Sequence, residues 1–114
     1  MPWRDDFMQP LGQGTIDDER MRVRINTERG VVMDFVVQYE TPRSDLSGEH
    51  VVVVRYDGSH GRAHRDLLDA RGHTVRKMYL PTHLSFGEAL NYALADIKEN
   101  WARYRQDFLL RSRR

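Results

Sequence analysis

The side chains best suited to chemistry are concentrated in residues 55–66. This stretch of twelve residues contains two histidines, three arginines, two aspartates and a tyrosine. Histidine exchanges protons near neutral pH, an aspartate can fix the tautomer of an imidazole, and arginine or lysine stabilises developing negative charge. Together these groups supply what metal-independent cleavage of RNA requires.

In such a reaction a base takes the proton of the ribose 2′-hydroxyl, an acid protonates the leaving 5′-oxygen, and a cation stabilises the phosphorane. The two histidines would be base and acid, in an order that the sequence leaves open. An arginine or lysine would be the cation, and Tyr56 would be a further donor. The candidate catalytic residues are Arg55, Tyr56, Asp57, His60, His64, Arg65, Asp66 and Lys77.

The same cluster admits two other interpretations. Arginine–aspartate and tyrosine–aspartate pairs commonly fix strand ends, so its role could be structural. A metal site is the other alternative, because imidazole and carboxylate groups are metal ligands. However, His60 and His64 are four residues apart, a spacing that places both on one face only in a helix. Gly58 and Gly61 argue against a helix here, so we expect no metal and no cofactor.

The alternation of side chains along a strand determines which candidates can meet. On the first strand, Arg55 and Asp57 share one face and Tyr56 takes the other. On the second strand, His64 and Asp66 share a face, opposite to the arginine between them. The lysine of the set lies on the following strand and could come beside them. If these strands pair, the charged groups converge on one face.

The rest of the chain predicts an α+β fold, in which an antiparallel meander of about five strands packs against one long C-terminal helix. Apolar runs separated by turn residues mark the strands. The predicted strands are residues 20–26, 31–40, 51–57, 64–69 and 73–80. Strand 20–26 alternates arginine with apolar residues, and we expect it to be an exposed edge through which copies of the chain could pair.

Two features after Pro81 predict the helix. Ser85 and Glu88 have the spacing of a capping box, in which each side chain hydrogen-bonds the backbone of the other residue. Apolar residues then recur at spacings of three and four, which places them on one face that packs on the sheet. They are Phe86, Leu90, Ala93, Leu94, Ile97, Trp101, Tyr104 and Phe108.

Length and composition indicate one globular domain, because 114 residues with 39% hydrophobic residues suffice for one core. We expect residues 1–19 to be an irregular arm, residues 20–110 the domain, and residues 111–114 a basic tail. The net charge of +1 does not by itself predict nucleic-acid binding. The acidic N-terminus, the absence of cysteine and the lack of a long apolar run predict a cytoplasmic protein without disulfides or a membrane span.

Three parts of the chain form a recognisable order of residues: Arg55-Tyr56-Asp57-x-x-His60-Gly61-x-x-His64-Arg65-Asp66, Lys77 in the next strand, and Ala93-x-x-Asp96-Ile97-x-x-Asn100-Trp101-x-x-Tyr104 in the helix. This order resembles that in a family of short uncharacterised bacterial and archaeal proteins. The likeness covers about residues 31–109. It implies a shared fold and carries no assigned activity.

The strand end Arg55-Tyr56-Asp57, followed by histidines, is also similar to the TumE-type toxins. These are small proteins that pair with a DNA-binding antitoxin and are thought to act on RNA. The similarity implies an RNA substrate and an antitoxin-like protein partner. The long aromatic C-terminal helix is a departure from those toxins.

The sequence therefore predicts a small, toxin-like, metal-independent ribonuclease. The alternative is a non-catalytic interaction module, in which the cluster is structural and the helix or the basic tail binds a protein or a nucleic acid. The catalytic hypothesis requires one depression, reachable by solvent, that gathers Arg55, Asp57, His64 and Lys77.

Overall fold

The computed structural model describes residues 3–112 as a six-stranded antiparallel sheet and one long helix. The elements are β1 (Asp5–Pro10), β2 (Arg20–Glu28), β3 (Val31–Pro42), β4 (His50–Asp57), β5 (His64–Leu68), β6 (Thr74–Tyr79) and α1 (Phe86–Arg111), with a short 3₁₀ turn at Ser59–Gly61. Each strand pairs with its neighbours in the chain, so the sheet is a meander in the order β1 to β6. The predicted α+β fold is confirmed, with one strand more than expected.

The additional strand lies in the segment that was expected to be an irregular arm. β1 pairs antiparallel with β2, from Asp5 opposite Ile25 to Pro10 opposite Arg20. Strand β2 is therefore an interior strand, and the expectation that it forms an exposed edge is wrong. Within residues 3–112 the two edges of the sheet are β1 and β6.

The β2–β3 connection is a two-residue hairpin turn. Arg29 has φ 52° and Gly30 has φ 80°, so both central residues are in the left-handed region. That combination defines a type I′ turn, whose twist matches the twist of the strands it joins. The glycine at the second position allows this turn because it has no Cβ to resist a positive φ.

Helix α1 packs on one face of the sheet, which we call the helix face. Its capping box is present, since Ser85 Oγ accepts a hydrogen bond from the Glu88 N–H and the Glu88 carboxylate accepts one from the Ser85 N–H. The predicted apolar stripe packs against the strands, as expected. The residues of α1 in the core are Ala89, Leu90, Ala93, Ile97, Tyr104 and Phe108, with Phe86, Leu94 and Trp101 partly buried beside them.

The opposite face of the sheet, which we call the open face, carries mostly charged and polar side chains. In register, one row across the strands is Met8, Arg22, Gln38, Arg55, Asp66 and Lys77, and the next is Asp6, Arg24, Val36, Asp57, His64 and Tyr79. Ion pairs join neighbouring strands along these rows, for example between Arg24 and Asp6. Within residues 3–112, no helix combines the length and apolarity needed to cross a membrane.

Candidate functional site

His64 lies between two aspartates on the open face. Its partner across the β4–β5 ladder is Asp57, and Asp66 follows it on the same face of β5. The Nε2 atom is 3.1 Å from Asp57 Oδ1 and 3.4 Å from Asp66 Oδ2. The side chains that alternation predicted to converge here have done so. His64 is nevertheless only 3% exposed, so it forms the floor of the site.

The hydrogen bonds of His64 restrict its protonation. Its Nδ1 atom is 3.0 Å from the carbonyl oxygen of Arg62. A carbonyl can only accept, so Nδ1 carries a proton. In a neutral ring the lone pair of Nε2 would then point at two carboxylates, which is electrostatically unfavourable. Nε2 is therefore the ring nitrogen that faces both carboxylates.

Lys77 and Arg55 flank this cluster but differ in their partners. Lys77 Nζ is 3.6 Å from Asp66 Oδ1, which is buried and accepts no hydrogen bond. The lysine side chain is 43% exposed and remains available to solvent. Arg55 instead donates through Nε to Gln38 Oε1 at 3.1 Å, which ties it to the neighbouring strand β3. Lys77 is therefore the better placed of the two to meet a ligand.

An open cleft of about 330 Å³ lies beside His64, between the β4–β5 turn and β6. Its lining residues are Ser59, His60, Arg62, His64, Lys77 and Tyr79. This volume is at the low end of the range for small-molecule sites, which is roughly 300–1,000 Å³, so the cleft suits a group of modest size. An open cleft beside three of the candidate residues meets part of the geometric condition of the catalytic hypothesis.

The turn that carries His60 has a constrained backbone. His60 is exposed and has φ 63°, in the left-handed region that a non-glycine residue seldom adopts. The Ser59 N–H donates to Asp57 Oδ1 at 2.9 Å, which ties the turn to the buried cluster. The Asp57 carboxylate thus contacts both the imidazole of His64 and the turn that presents His60.

Three residues of the cleft wall were not among the predicted candidates: Ser59, Arg62 and Tyr79. The guanidinium carbon of Arg62 lies 4.5 Å from the centroid of the Tyr79 ring, in cation–π geometry. Tyr79 follows Lys77 by two positions on β6 and so shares its face. That spacing was visible in the sequence, but the stacking of Arg62 depends on how the β4–β5 turn folds.

Tyr56 and Arg65 lie on the helix face, away from the cleft. The Tyr56 hydroxyl donates to Asp96 Oδ2 at 2.7 Å, and the Tyr104 hydroxyl donates to the same oxygen. Arg65 Nη1 donates to the Tyr104 hydroxyl oxygen at 3.1 Å, and Asn100 donates to Asp96 Oδ1 at 2.8 Å. Burial raises the pKa of Tyr56 far above its usual value, and the hydrogen bond to Asp96 raises it further. The geometry of these two candidates is that of a structural network.

The basic end of α1 is partly engaged with the body of the protein. Arg105 Nε is 3.5 Å from Glu19 Oε1, and Arg111 Nη2 donates to the Leu68 carbonyl at 3.1 Å. Arg103 is exposed. The rest of the expected basic tail, apart from Ser112, is Arg113 and Arg114, which lie outside the described residues.

The comparison with family models matches the whole chain, residues 1–114, to a domain of unknown function (DUF7718). The chain belongs to this family, which agrees with the expected likeness to a family of uncharacterised proteins. No curated protein and no solved structure matched significantly.

Proposed function

We propose that this protein is a small, toxin-like, metal-independent ribonuclease that cleaves RNA in the cleft beside His64. The observation that carries the proposal is that His60, Lys77 and Arg62 line one open cleft. All three are exposed, so a phosphodiester can reach a proton-transfer group and two cations at once. The proposal extends the likeness to TumE-type toxins, with RNA as substrate and a cytoplasmic location.

The burial of His64 decides the assignment of roles. Because it is 3% exposed and its ring nitrogens face Arg62 O and two carboxylates, it cannot readily exchange protons with RNA. We assign the general base to His60, which takes the proton of the ribose 2′-hydroxyl as that oxygen attacks phosphorus. The bond from phosphorus to the 5′-oxygen breaks, and the Lys77 ammonium gives that oxygen a proton.

Arg62 is assigned the stabilisation of negative charge on the phosphate. Its guanidinium can hold the non-bridging phosphate oxygens with two parallel hydrogen bonds as negative charge develops on them. The exposed ring of Tyr79, at the same wall, offers a surface on which an unpaired base can stack. His64 acts as a positioning residue, since it holds Asp57 and, through Asp57, the turn that carries His60.

The test is cleavage of single-stranded RNA by the purified chain in the presence of a chelator. We expect His60→Ala and Lys77→Ala each to lower the rate by about 10²–10⁴-fold, the usual contribution of a general acid or base. His73→Ala is the matched control, because this exposed histidine lies in the β5–β6 turn and contacts Asp69 instead of the cleft.

Two outcomes would contradict the proposal. One is that no RNA is cleaved, and the other is that cleavage persists at the same rate in both cleft variants. RNA with a 2′-deoxy residue at the cleavage position must also resist cleavage, because it lacks the 2′-hydroxyl that serves as the nucleophile. Cleavage of the deoxy substrate would refute the roles assigned here.

A second candidate function is binding without turnover on the same face. It is favoured by the close contacts of the buried His64 with Asp57 and Asp66, which have the form of a structural cluster. The partner would be RNA or an antitoxin-like protein. If the partner is RNA, the natural chain should bind RNA without cleaving it, and Arg62→Gln should weaken binding and reduce the slope of log affinity against log salt by about 1.

A further inference from the structure

We infer that Asp57, His64 and Asp66 form a binding site for a divalent transition-metal ion. This inference goes beyond the proposed ribonuclease, since it concerns binding by the folded chain in the absence of RNA. Each residue offers one ligand atom, and the three ligand atoms lie within 4.8 Å of one another. The ligands come from two paired strands, which hold their positions more rigidly than a loop would.

The distances fit a coordination sphere. Ligand atoms about 2.1 Å from an ion are separated by about 3.0 Å in octahedral geometry and about 3.4 Å in tetrahedral geometry. The Nε2 atom of His64 is 3.1 Å from Asp57 Oδ1 and 3.4 Å from Asp66 Oδ2. Two of the three separations therefore match one ion, and the two carboxylates, whose ligand atoms lie within 4.8 Å of each other, would close on it.

The orientation of the imidazole supplies the second, independent observation. In metal sites the non-ligating nitrogen of a histidine usually donates to a carbonyl or a carboxylate, which fixes the tautomer that leaves the other nitrogen free to bind. His64 has this arrangement, because Nδ1 donates to Arg62 O. His64 is only 3% exposed, and its Nε2 faces both carboxylates.

The charge and burial of the cluster also favour a cation. Asp66 is only 8% exposed, and its Oδ1 atom accepts no hydrogen bond. Buried carboxylates normally have hydrogen-bond partners, so this oxygen retains an unused lone pair. The competing cation is Lys77, at 3.6 Å from the same oxygen. Its side chain is 43% exposed and can turn into solvent when an ion binds.

The ligand set indicates the class of ion. Mg²⁺ and Ca²⁺ prefer oxygen ligands alone, whereas Mn²⁺, Co²⁺ and Zn²⁺ accept imidazole together with carboxylates. Three protein ligands leave coordination positions for water. Because His64 also lines the cleft, these positions would be reached from that side.

The test is titration of the full chain, stripped of metal, with Co²⁺ followed by its visible absorption and with Mn²⁺ followed by NMR. We expect one Co²⁺ per chain. Asp57→Asn and Asp66→Asn should each weaken binding by at least about tenfold, since even the loss of an outer-shell partner costs that much. His73→Ala is the control, because it removes an exposed histidine that contacts Asp69 in the β5–β6 turn and lies outside the cluster.

The NMR measurement uses the natural chain, so it still tests the inference if an aspartate variant fails to fold. Substoichiometric Mn²⁺ should broaden the amide signals of Asp57, His64 and Asp66 before those of the exposed His73. The inference is overturned if neither ion binds, if broadening is centred elsewhere, or if folded aspartate variants bind as tightly as the natural chain. Cleavage of RNA is tested with chelator present, so the ribonuclease and the metal site can fail separately.

Discussion

Three tyrosine hydroxyls are buried between the sheet and α1, and each donates a hydrogen bond to a carboxylate. Tyr39 donates to Glu19, while Tyr56 and Tyr104 donate to Asp96. Burial raises the pKa of all three hydroxyls, and the hydrogen bonds to the carboxylates raise them further. The folded protein should therefore keep these three protons at a pH where the unfolded chain has lost them.

The sign and the size of the effect follow from proton linkage. In the unfolded chain tyrosine ionises near pH 10, so above about pH 10 the unfolded state binds fewer protons and the free energy of unfolding falls. The stabilisation is complete below that pH and is lost as pH rises toward the folded pKa. Between about pH 9 and about pH 11, Tyr39 and Tyr56, whose pKa values are raised far above the usual one, each contribute a loss of about 1.4 kcal/mol, or about 3 kcal/mol together. Tyr104, whose pKa is also raised, adds to this loss.

The assay is urea unfolding followed by circular dichroism across this pH range. Tyr56→Phe should cost about 1.5 kcal/mol at neutral pH, at the low end for a hydrogen bond to a charged group, because Asp96 keeps Tyr104 and Asn100 as donors. The same variant should reduce the alkaline loss by about 1.4 kcal/mol, because one hydroxyl no longer contributes.

Ile97→Val is the matched control for this experiment. Ile97 is fully buried in the same core, and the substitution should cost about 0.5–1.5 kcal/mol while leaving all three hydroxyls in place. Its alkaline loss should equal that of the natural chain. The reasoning is refuted if Tyr56→Phe and Ile97→Val show the same pH dependence, or if all tyrosines of the folded protein ionise near pH 10 by ultraviolet absorbance.

Two further predictions concern stability and are measured by urea unfolding. Gly58→Ala should destabilise by about 1–3 kcal/mol, because a Cβ there would lie 2.8 Å from two ring carbons of Phe86; Gly87→Ala, whose Cβ has no contact closer than 3.8 Å, should not destabilise and is the control. Ser85→Ala should cost about 1 kcal/mol by removing the acceptor for the Glu88 N–H at the start of α1, and an unchanged stability would argue against the capping box.

Most of the fold was predictable because its elements have strong local patterns. Strand β2 alternates arginine with apolar residues, and α1 combines a capping box with an apolar stripe. Strand β1 was missed because its sequence, Asp-Asp-Phe-Met-Gln-Pro, has no period of two. What holds this strand is long-range: its ladder with β2 and the ion pairs of Asp6 with Arg22 and Arg24. No local signal in residues 5–10 reports those partners.

The sequence predicted which face of the sheet each candidate side chain takes, but it did not predict how deeply His64 is buried. Alternation correctly placed His64 and Asp66 together and Arg65 opposite, since it depends only on position along a strand. The burial of His64 depends instead on the backbone of the β4–β5 turn, which brings the Arg62 carbonyl to Nδ1. That turn includes a positive φ at His60, a conformation that a histidine seldom adopts and that the sequence therefore does not predict.

Substitutions of neighbouring residues should have different effects when their side chains lie on different faces of the sheet. Asp57 and Tyr56 are adjacent on β4, but the Asp57 side chain lies on the open face and the Tyr56 side chain lies on the helix face. There Tyr56 is enclosed by Asp96 and the aromatic residues of α1. A ligand cannot reach that side without moving α1, so variants at Tyr56 and Arg65 should change the free energy of unfolding. Variants at His60 and Lys77 face solvent and should change binding or turnover with little effect on stability. The opposite result would be that variants at His60 and Lys77 lose cleavage only because they unfold, as expected for Tyr56 and Arg65. In that case the cleft would have no separate role, and the structural interpretation of the cluster would account for all four residues.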